Sequence, residues 1–196
     1  MLWLSHSVPH NLTHSRGVWG GLLMALGGAL VGLALLPRPM LRLDTTLLPL
    51  PKVGVQGHAV EAEGRDHVDI GTPIVYQNRP PSSGPHYPRT LRYGVLDRDV
   101  EPGYWVHNLE HGGIVVLYNC AEPCPALVRQ LREVYAKAPP SERYHVVKLA
   151  AVPDHDMDHQ LAVVAWGYID EMDAFDADRI LAFYREHVDR GPEDAL

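Results

Sequence analysis

The sequence predicts an α+β domain, built on a small mixed sheet with two main helices and preceded by one N-terminal transmembrane helix. Its 196 residues, 46% apolar and 21% charged, are enough for one domain with a folded core. The C-terminal half alternates buried-strand runs with helical spacing of apolar residues. The N-terminal part carries one long uncharged apolar run, which indicates the transmembrane helix.

Residues 17–36 contain no charged side chain and are long enough, as a helix, to cross the ~30 Å of a hydrocarbon core. A cleaved signal peptide is the alternative, but its apolar region is usually ~7 to 15 residues long. The Pro37-Arg38-Pro39 that follows is also a poor cleavage site. We therefore predict a retained anchor at 17–36, after a polar leader at 1–16 and before a Pro/Leu tether at 37–52 and a single globular domain at 53–196.

The side of the membrane on which the domain lies follows from two opposing signals. Arg16 precedes the predicted span and Arg38 and Arg42 follow it, which slightly favours a cytoplasmic domain. The two cysteines, Cys120 and Cys124, are close enough in sequence to pair, which suits an oxidising compartment. We expect a single-pass protein of the inner (cytoplasmic) membrane with its domain on the extracytoplasmic side.

The elements of the domain are predicted from apolar patterning, in the order β-α-β-β-α after one early strand. A proline-rich loop that runs through Gly103 separates the early strand from the rest. Asp173 or Asp176 can cap the last helix. The predicted strands are 73–76, 113–118, 145–152 and 161–168, and the predicted helices are 125–138 and a final one that includes 180–188.

Two motifs place histidines in rigid surroundings rich in glycine and proline: PPSSGPHY at 80–87 and HNLEHGG at 107–113. His107 and His111 are four residues apart, so on one helical turn their imidazoles can share a metal ion. Glu110 could ligate the ion or orient a ligand. The alternative is that these side chains hydrogen-bond the backbone of a stiff loop.

Cys120 and Cys124 are predicted to lie where a strand ends and a helix begins, with Pro125 at the first helical position. A Cys124 thiolate there would have a lowered pKa because it faces the helix N-terminus. The stretch resembles the C-x-x-x-C-P turn of thioredoxin-like copper-delivery proteins that serve cytochrome oxidase, which implies a thioredoxin-like α/β fold. No helical pattern lies between Val152 and Leu161, where that fold has a helix. We therefore favour a structural disulfide that closes a five-residue turn, because two cysteines in a secreted domain usually form an inert pair.

The two histidine motifs are followed by Ala165-Trp166-Gly167 and by Gly191-Pro192-Glu193. In this order the motifs resemble those of a bacterial family of membrane-anchored domains of unknown function, over roughly residues 67–193. The resemblance implies that six positions belong to the family pattern: His67, His86, His107, Glu110, His111 and Met157.

Imidazole is a common ligand for zinc and copper, and the thioether of Met157 would shift the preference toward Cu(I). We therefore expect a transition-metal-binding protein, copper ahead of zinc, that stores the metal or exchanges it with a partner protein. The predicted ligands are His86, His107, His111 and Met157, with His67 in reserve and Glu110 beside them.

Other function classes are less well supported by the sequence. A net charge of −7, with acidic residues concentrated in the last third, leaves no basic stripe for nucleic acid. The sequence has no H-E-x-x-H, G-x-S-x-G, phosphate-binding or dinucleotide motif, so we expect binding rather than catalysis. The alternatives are a metal-dependent hydrolase with Glu110 as general base, a thiol-disulfide oxidoreductase, and a non-catalytic partner-binding domain. The run 154–159 is expected to be a solvated acidic loop.

Overall fold

The computed structural model describes residues 56–120 and 123–196. The predicted anchor at 17–36, its leader and its tether lie outside the described residues. Within the described ranges, no helix combines the length and the apolar character needed to cross a membrane.

A mixed six-stranded sheet and three helices form the domain, which confirms the α+β class. The elements are β1 His58–Ala59, β2 Gly94–Val95, α1 Pro102–Glu110, β3 Ile114–Tyr118, α2 Pro125–Lys137, β4 Leu149–Pro153, β5 Leu161–Ala165, β6 Tyr168–Met172 and α3 Ala177–His187. The sheet order is β1-β6-β5-β3-β4-β2. The pairs β2/β4 and β3/β4 are parallel, and β3/β5, β5/β6 and β1/β6 are antiparallel.

The central strand β3 is buried on both sides, and its alternating side chains supply two apolar layers. Ile114 and Val116 pack on the side that carries α2 and α3. Val115 and Leu117 pack on the opposite side, against Trp105 and other residues of α1. Burying each of these aliphatic side chains contributes about 1.5 to 3 kcal/mol. Helix α1, which carries the second histidine motif, therefore packs on the face of the sheet opposite α2 and α3.

Three predicted elements differ from the observed ones. Residues 73–76, which were predicted to form a strand, are irregular. The Tyr76 hydroxyl of this segment donates to the Pro85 carbonyl at 2.8 Å. The strand predicted from residue 145 begins at Leu149. The strand predicted over 161–168 ends at Ala165, and the chain turns at Trp166 and Gly167 into β6, which was not predicted. Gly167 has φ +71°, a conformation that favours glycine and lets the chain reverse there.

Helix α1 is a third helix beyond the two that were predicted, and it begins one residue before the end of the predicted proline-rich loop. Pro102 occupies its first turn, where the missing N–H costs no hydrogen bond. Gly103 is required because a Cβ there would lie 2.7 Å from ring carbons of Tyr87. The loop before α1 is thereby pressed against the helix, and that contact brings the two histidine motifs together.

The last eight residues fold back on the end of α1. The Asp189 N–H donates to the Gly112 carbonyl at 2.9 Å, and the Glu193 N–H donates to the Glu110 carbonyl at 3.1 Å. The fully buried Lys148 ammonium donates to the carbonyls of His111 and Ala195 and to Asp189. We call residues 189–196 the C-terminal tail. It packs against the end of α1 that carries Glu110 and His111.

Candidate metal centre

The end of α1 presents His107 and Glu110 from buried positions. Their separation of three residues puts both side chains on one face of the helix. Glu110 is 3% exposed and is the last residue of α1, where the helix dipole is negative. A carboxylate at that end is electrostatically unfavourable unless a cation lies close by. The helix therefore builds a buried site that favours positive charge.

His86 approaches this carboxylate from the loop that holds the first motif. Its ring is fully buried, and Nδ1 lies 2.8 Å from the Gly84 carbonyl. A carbonyl only accepts, so Nδ1 carries a proton. Nε2 lies 3.0 Å from Oε2 of Glu110, a distance at which either a proton or a metal ion lies between the two atoms.

His107 repeats the same arrangement. Its Nδ1 donates to the Tyr87 carbonyl at 2.7 Å, and its Nε2 lies 3.1 Å from Nε2 of His111. Burial lowers the pKa of His107 to about 4. The hydrogen bond that the ring donates to the Tyr87 carbonyl opposes this shift, and the three neighbouring imidazoles add to it. The ring is therefore neutral at pH 7. A neutral imidazole with Nδ1–H held by a carbonyl is the form that binds metal through Nε2.

His67 completes a triangle of rings. A backbone bridge between His67 and His86 places the ring, whose centroid lies 4.7 Å from that of His86 and 4.8 Å from that of His107. Its Nε2 is 3.7 Å from Oε2 of Glu110, and its side chain is 46% exposed. One ligand atom from each of His67, His86, His107 and Glu110 lies within 4.8 Å of all the others.

The distances can be compared with those of a coordinated ion. Two ligands at about 2.1 Å from a tetrahedral metal are about 3.3 Å apart. The distances from Oε2 of Glu110 are 3.0 Å to His86 and 3.7 Å to His67. Small side-chain movements would bring both to the coordinated value, so the donor set fits a metal ion.

The sequence model of a family described as a protein of unknown function, DUF3105, matches residues 67–196, which is more than half of the chain. The chain belongs to the DUF3105 family. This confirms the predicted membership of a family of unknown function. No curated protein and no solved structure matches the chain.

A second group in this DUF3105 domain lies beside the first. It consists of Glu110, His111 and Glu193, again with ligand atoms within 4.8 Å of one another. Nε2 of His111 is 3.7 Å from Oε2 of Glu193. Sequence reasoning did not propose Glu193 as a site residue. The terminal Gly191-Pro192-Glu193 motif was the available signal, but the sequence does not show where the tail folds.

Met157 makes contacts other than those predicted for a metal ligand. It lies on the connection between β4 and β5, where its carbonyl accepts from Asn119 at 2.7 Å. Its side chain packs against the apolar layer on the α1 side and lines a shallow depression with Pro80 and Glu171. None of these contacts involves His67, His86, His107 or Glu110. The predicted thioether ligand therefore has no support from the described geometry and stays a prediction.

Cys120 and Cys124 form a disulfide, as the sequence predicts. Cys124 is the N-cap of α2, and Cys120 follows β3 by two residues. Both are half-buried and line a groove together with Tyr118 and Val128. The residues between the cysteines, 121–122, lie outside the described ranges. The pair belongs to the α2 end of the sheet and is not among the grouped histidine and carboxylate ligands.

Proposed function

We propose that this domain binds a transition-metal ion through His67, His86 and His107, with Glu110 as the fourth ligand. One observation carries the proposal. Two buried imidazoles have Nδ1–H held by backbone carbonyls, so both direct Nε2 to the interior of the site. One of these Nε2 atoms lies 3.0 Å from a buried carboxylate oxygen. Carbonyl partners on Nδ1 are the usual support of metal-binding histidines.

The donor set indicates which metal binds. Three imidazoles and one carboxylate suit Zn(II) and Cu(II), whereas Mg²⁺ and Ca²⁺ prefer oxygen ligands. The order of divalent affinities places Cu(II) above Zn(II) at a given site, so copper ranks ahead of zinc. With Met157 held by other contacts, the ligands that carry this proposal do not include the soft sulfur that would favour Cu(I).

Binding for delivery or storage agrees better with this site than catalysis does. Four protein ligands fill a tetrahedral site, whereas catalytic zinc sites keep one position for water or substrate. Glu110 serves as a ligand here, which leaves it unavailable as the general base of a hydrolase. His67, the half-exposed ligand, gives a route by which a partner protein could give or take the ion. A membrane anchor at 17–36 would hold the domain at the extracytoplasmic surface.

The test is elemental analysis of the full-length protein, purified without a histidine tag and loaded separately with Cu(II) and Zn(II). The double variant His86→Ala/His107→Ala is expected to lose at least one equivalent of retained metal. The matched control, His155→Ala/His159→Ala, removes one exposed and one partly exposed histidine that lie outside the grouped ligands and is expected to retain the metal. Because the buried substitutions leave cavities, the milder His67→Ala variant and circular dichroism show whether lost metal reflects lost folding. Equal metal in all four proteins would overturn the proposal.

A second candidate function is thiol-disulfide exchange at Cys120 and Cys124, which the position of the disulfide favours. The pair follows β3 and opens α2, inside a β3-α2-β4 unit with parallel strands. This arrangement supports the thioredoxin-like interpretation. Residues 154–160, all described, contain no helix, which is a departure from that fold. A Cys124 thiol pKa well below 8.5 in the reduced protein would favour this function.

A further inference from the structure

We infer that Glu110, His111 and Glu193 form a second position for a divalent transition-metal ion, next to the first and sharing Glu110 with it. The inference rests on the proposed function, because Glu110 is a ligand of the first ion. Its consequence is that the domain binds a pair of ions bridged by one carboxylate.

The distances support two neighbouring positions. Glu110 belongs to both groups of potential ligands, and a carboxylate has two oxygens with which it can bridge two ions. Nε2 of His107, in the first group, lies 3.1 Å from Nε2 of His111, in the second. Ions in two-metal sites are about 3.5 to 4 Å apart. The 3.1 Å separation of these imidazoles also fits two ligands of one ion, so the number of bound ions decides between the two arrangements.

The His111 ring is incompletely hydrogen-bonded. Its side chain is only 10% exposed, yet its buried Nδ1 has no hydrogen-bond partner among the described residues. Without metal, its Nε2–H is the donor to the lone pair on Nε2 of His107. Buried polar groups are rarely left unpaired, and each such group costs about 1 to 3 kcal/mol. The ring is held in a polar site that its protein partners do not satisfy.

The C-terminal tail fixes Glu193 beside this ring. The Glu193 N–H is bonded to the Glu110 carbonyl, and Gly191 passes so close that a Cβ there would lie 2.1 Å from the same oxygen. Lys148 anchors the tail on both sides of Glu193, through Asp189 and Ala195. The fold thereby brings a second carboxylate close to Glu110 and to the negative end of α1. The Lys148 ammonium already compensates part of the negative charge at this end of α1, and a second cation beside the two glutamates would compensate more of it.

The test is the number of ions bound at saturation by the full-length protein, titrated separately with Zn(II) and Cu(II). Histidines 6, 10 and 14 are replaced by glutamine in every protein so that the leader does not contribute to the count. The parent is expected to bind two ions and Glu193→Gln one. Glu142→Gln, which removes an exposed carboxylate elsewhere, is expected to bind two. His111→Gln is expected to bind one.

Spectroscopy distinguishes a bridged pair from two separate sites. Two Cu(II) ions about 4 Å apart, joined by a carboxylate, are expected to couple and lose most of their EPR intensity. Glu193→Gln is expected to show the full signal of one isolated Cu(II). One ion in both parent and Glu193→Gln would overturn this inference and leave the proposed function standing. No ion in the parent would overturn both.

Discussion

Replacing Gly191 by alanine tests the packing of the C-terminal tail on the metal centre. The new Cβ would lie 2.1 Å from the Glu110 carbonyl oxygen and 2.3 Å from the Gly112 nitrogen. Both are backbone atoms that cannot rotate away. An ordinary contact needs about 3.4 Å, so the tail must move by more than 1 Å. That movement breaks the bond from the Glu193 N–H to Glu110.

The expected cost combines overpacking, about 1 to 3 kcal/mol, with one lost hydrogen bond, about 1 kcal/mol. The total of about 2 to 4 kcal/mol corresponds to a fall in Tm of about 6 to 12 °C for a domain of this size. Calorimetry of the metal-free protein measures it, with Pro192→Ala, at the next and exposed residue, as the control. The second ion should also be lost from Gly191→Ala. A Tm within 2 °C of the parent and an unchanged ion count would refute this description of the tail.

Three further predictions concern stability. Lys148→Met leaves Asp189 and two carbonyls without their buried donor. The free energy of unfolding, measured in urea, is expected to fall by about 2 to 4 kcal/mol. A fall below about 1 kcal/mol would contradict the role of Lys148 in anchoring the C-terminal tail. The pKa of His107 is about 4 in the folded protein and 6.5 in the unfolded chain. Between pH 6.5 and 4 the unfolded chain therefore binds more protons than the folded protein, and the free energy of unfolding falls as the pH drops through this range. Solvent screening reduces the expected fall to about 1 to 2 kcal/mol. The free energy of unfolding of the metal-free His107→Gln variant should depend less on pH than that of the metal-free parent. The same pH dependence in both proteins would contradict the lowered pKa of His107. Cys120→Ser/Cys124→Ser opens a five-residue loop and is expected to cost at most about 2 kcal/mol without changing the ion count; loss of metal would contradict the separation of the two sites.

Much of the fold was predictable because its strongest elements are periodic. The apolar run of β3 and the helical spacing in α2 and α3 gave those elements within a few residues of their observed bounds. The cap of α3 was also within the prediction, since the Asp176 side chain accepts from the Arg179 N–H. In each case local patterning and tertiary packing require the same structure.

Strand β6 was not recognised because its sequence combines apolar and acidic residues. Asp170 is buried in the middle of the strand, where a carboxylate is unexpected. Arg179 pairs with it through two hydrogen bonds, of 2.8 and 2.6 Å, from the neighbouring helix. This long-range pair makes a buried acid tolerable, and no local pattern reveals it.

The two motifs indicated most of the candidate metal centre, since His86, His107 and Glu110 converge as their chemistry suggests. The sequence could not show that α1 ends at the carboxylate. It also could not show that the tail returns Glu193 to the same place, because that depends on contacts over 80 residues apart. The spacing that suggested one ion shared by His107 and His111 agrees with their 3.1 Å separation, whereas the proposal of two positions depends on the carboxylates of Glu110 and Glu193.

X-ray absorption spectroscopy of the zinc-loaded full-length protein tests most directly whether His67, His86, His107 and Glu110 bind a metal ion. Binding by these residues predicts a shell of nitrogen and oxygen ligands at about 2.0 to 2.1 Å, with outer-shell scattering from imidazole rings. The imidazole contribution per zinc ion should weaken in His86→Ala/His107→Ala, where only His67 and His111 remain, and persist in His155→Ala/His159→Ala. A sulfur shell at about 2.3 Å, or a shell without imidazole scattering, would contradict the account.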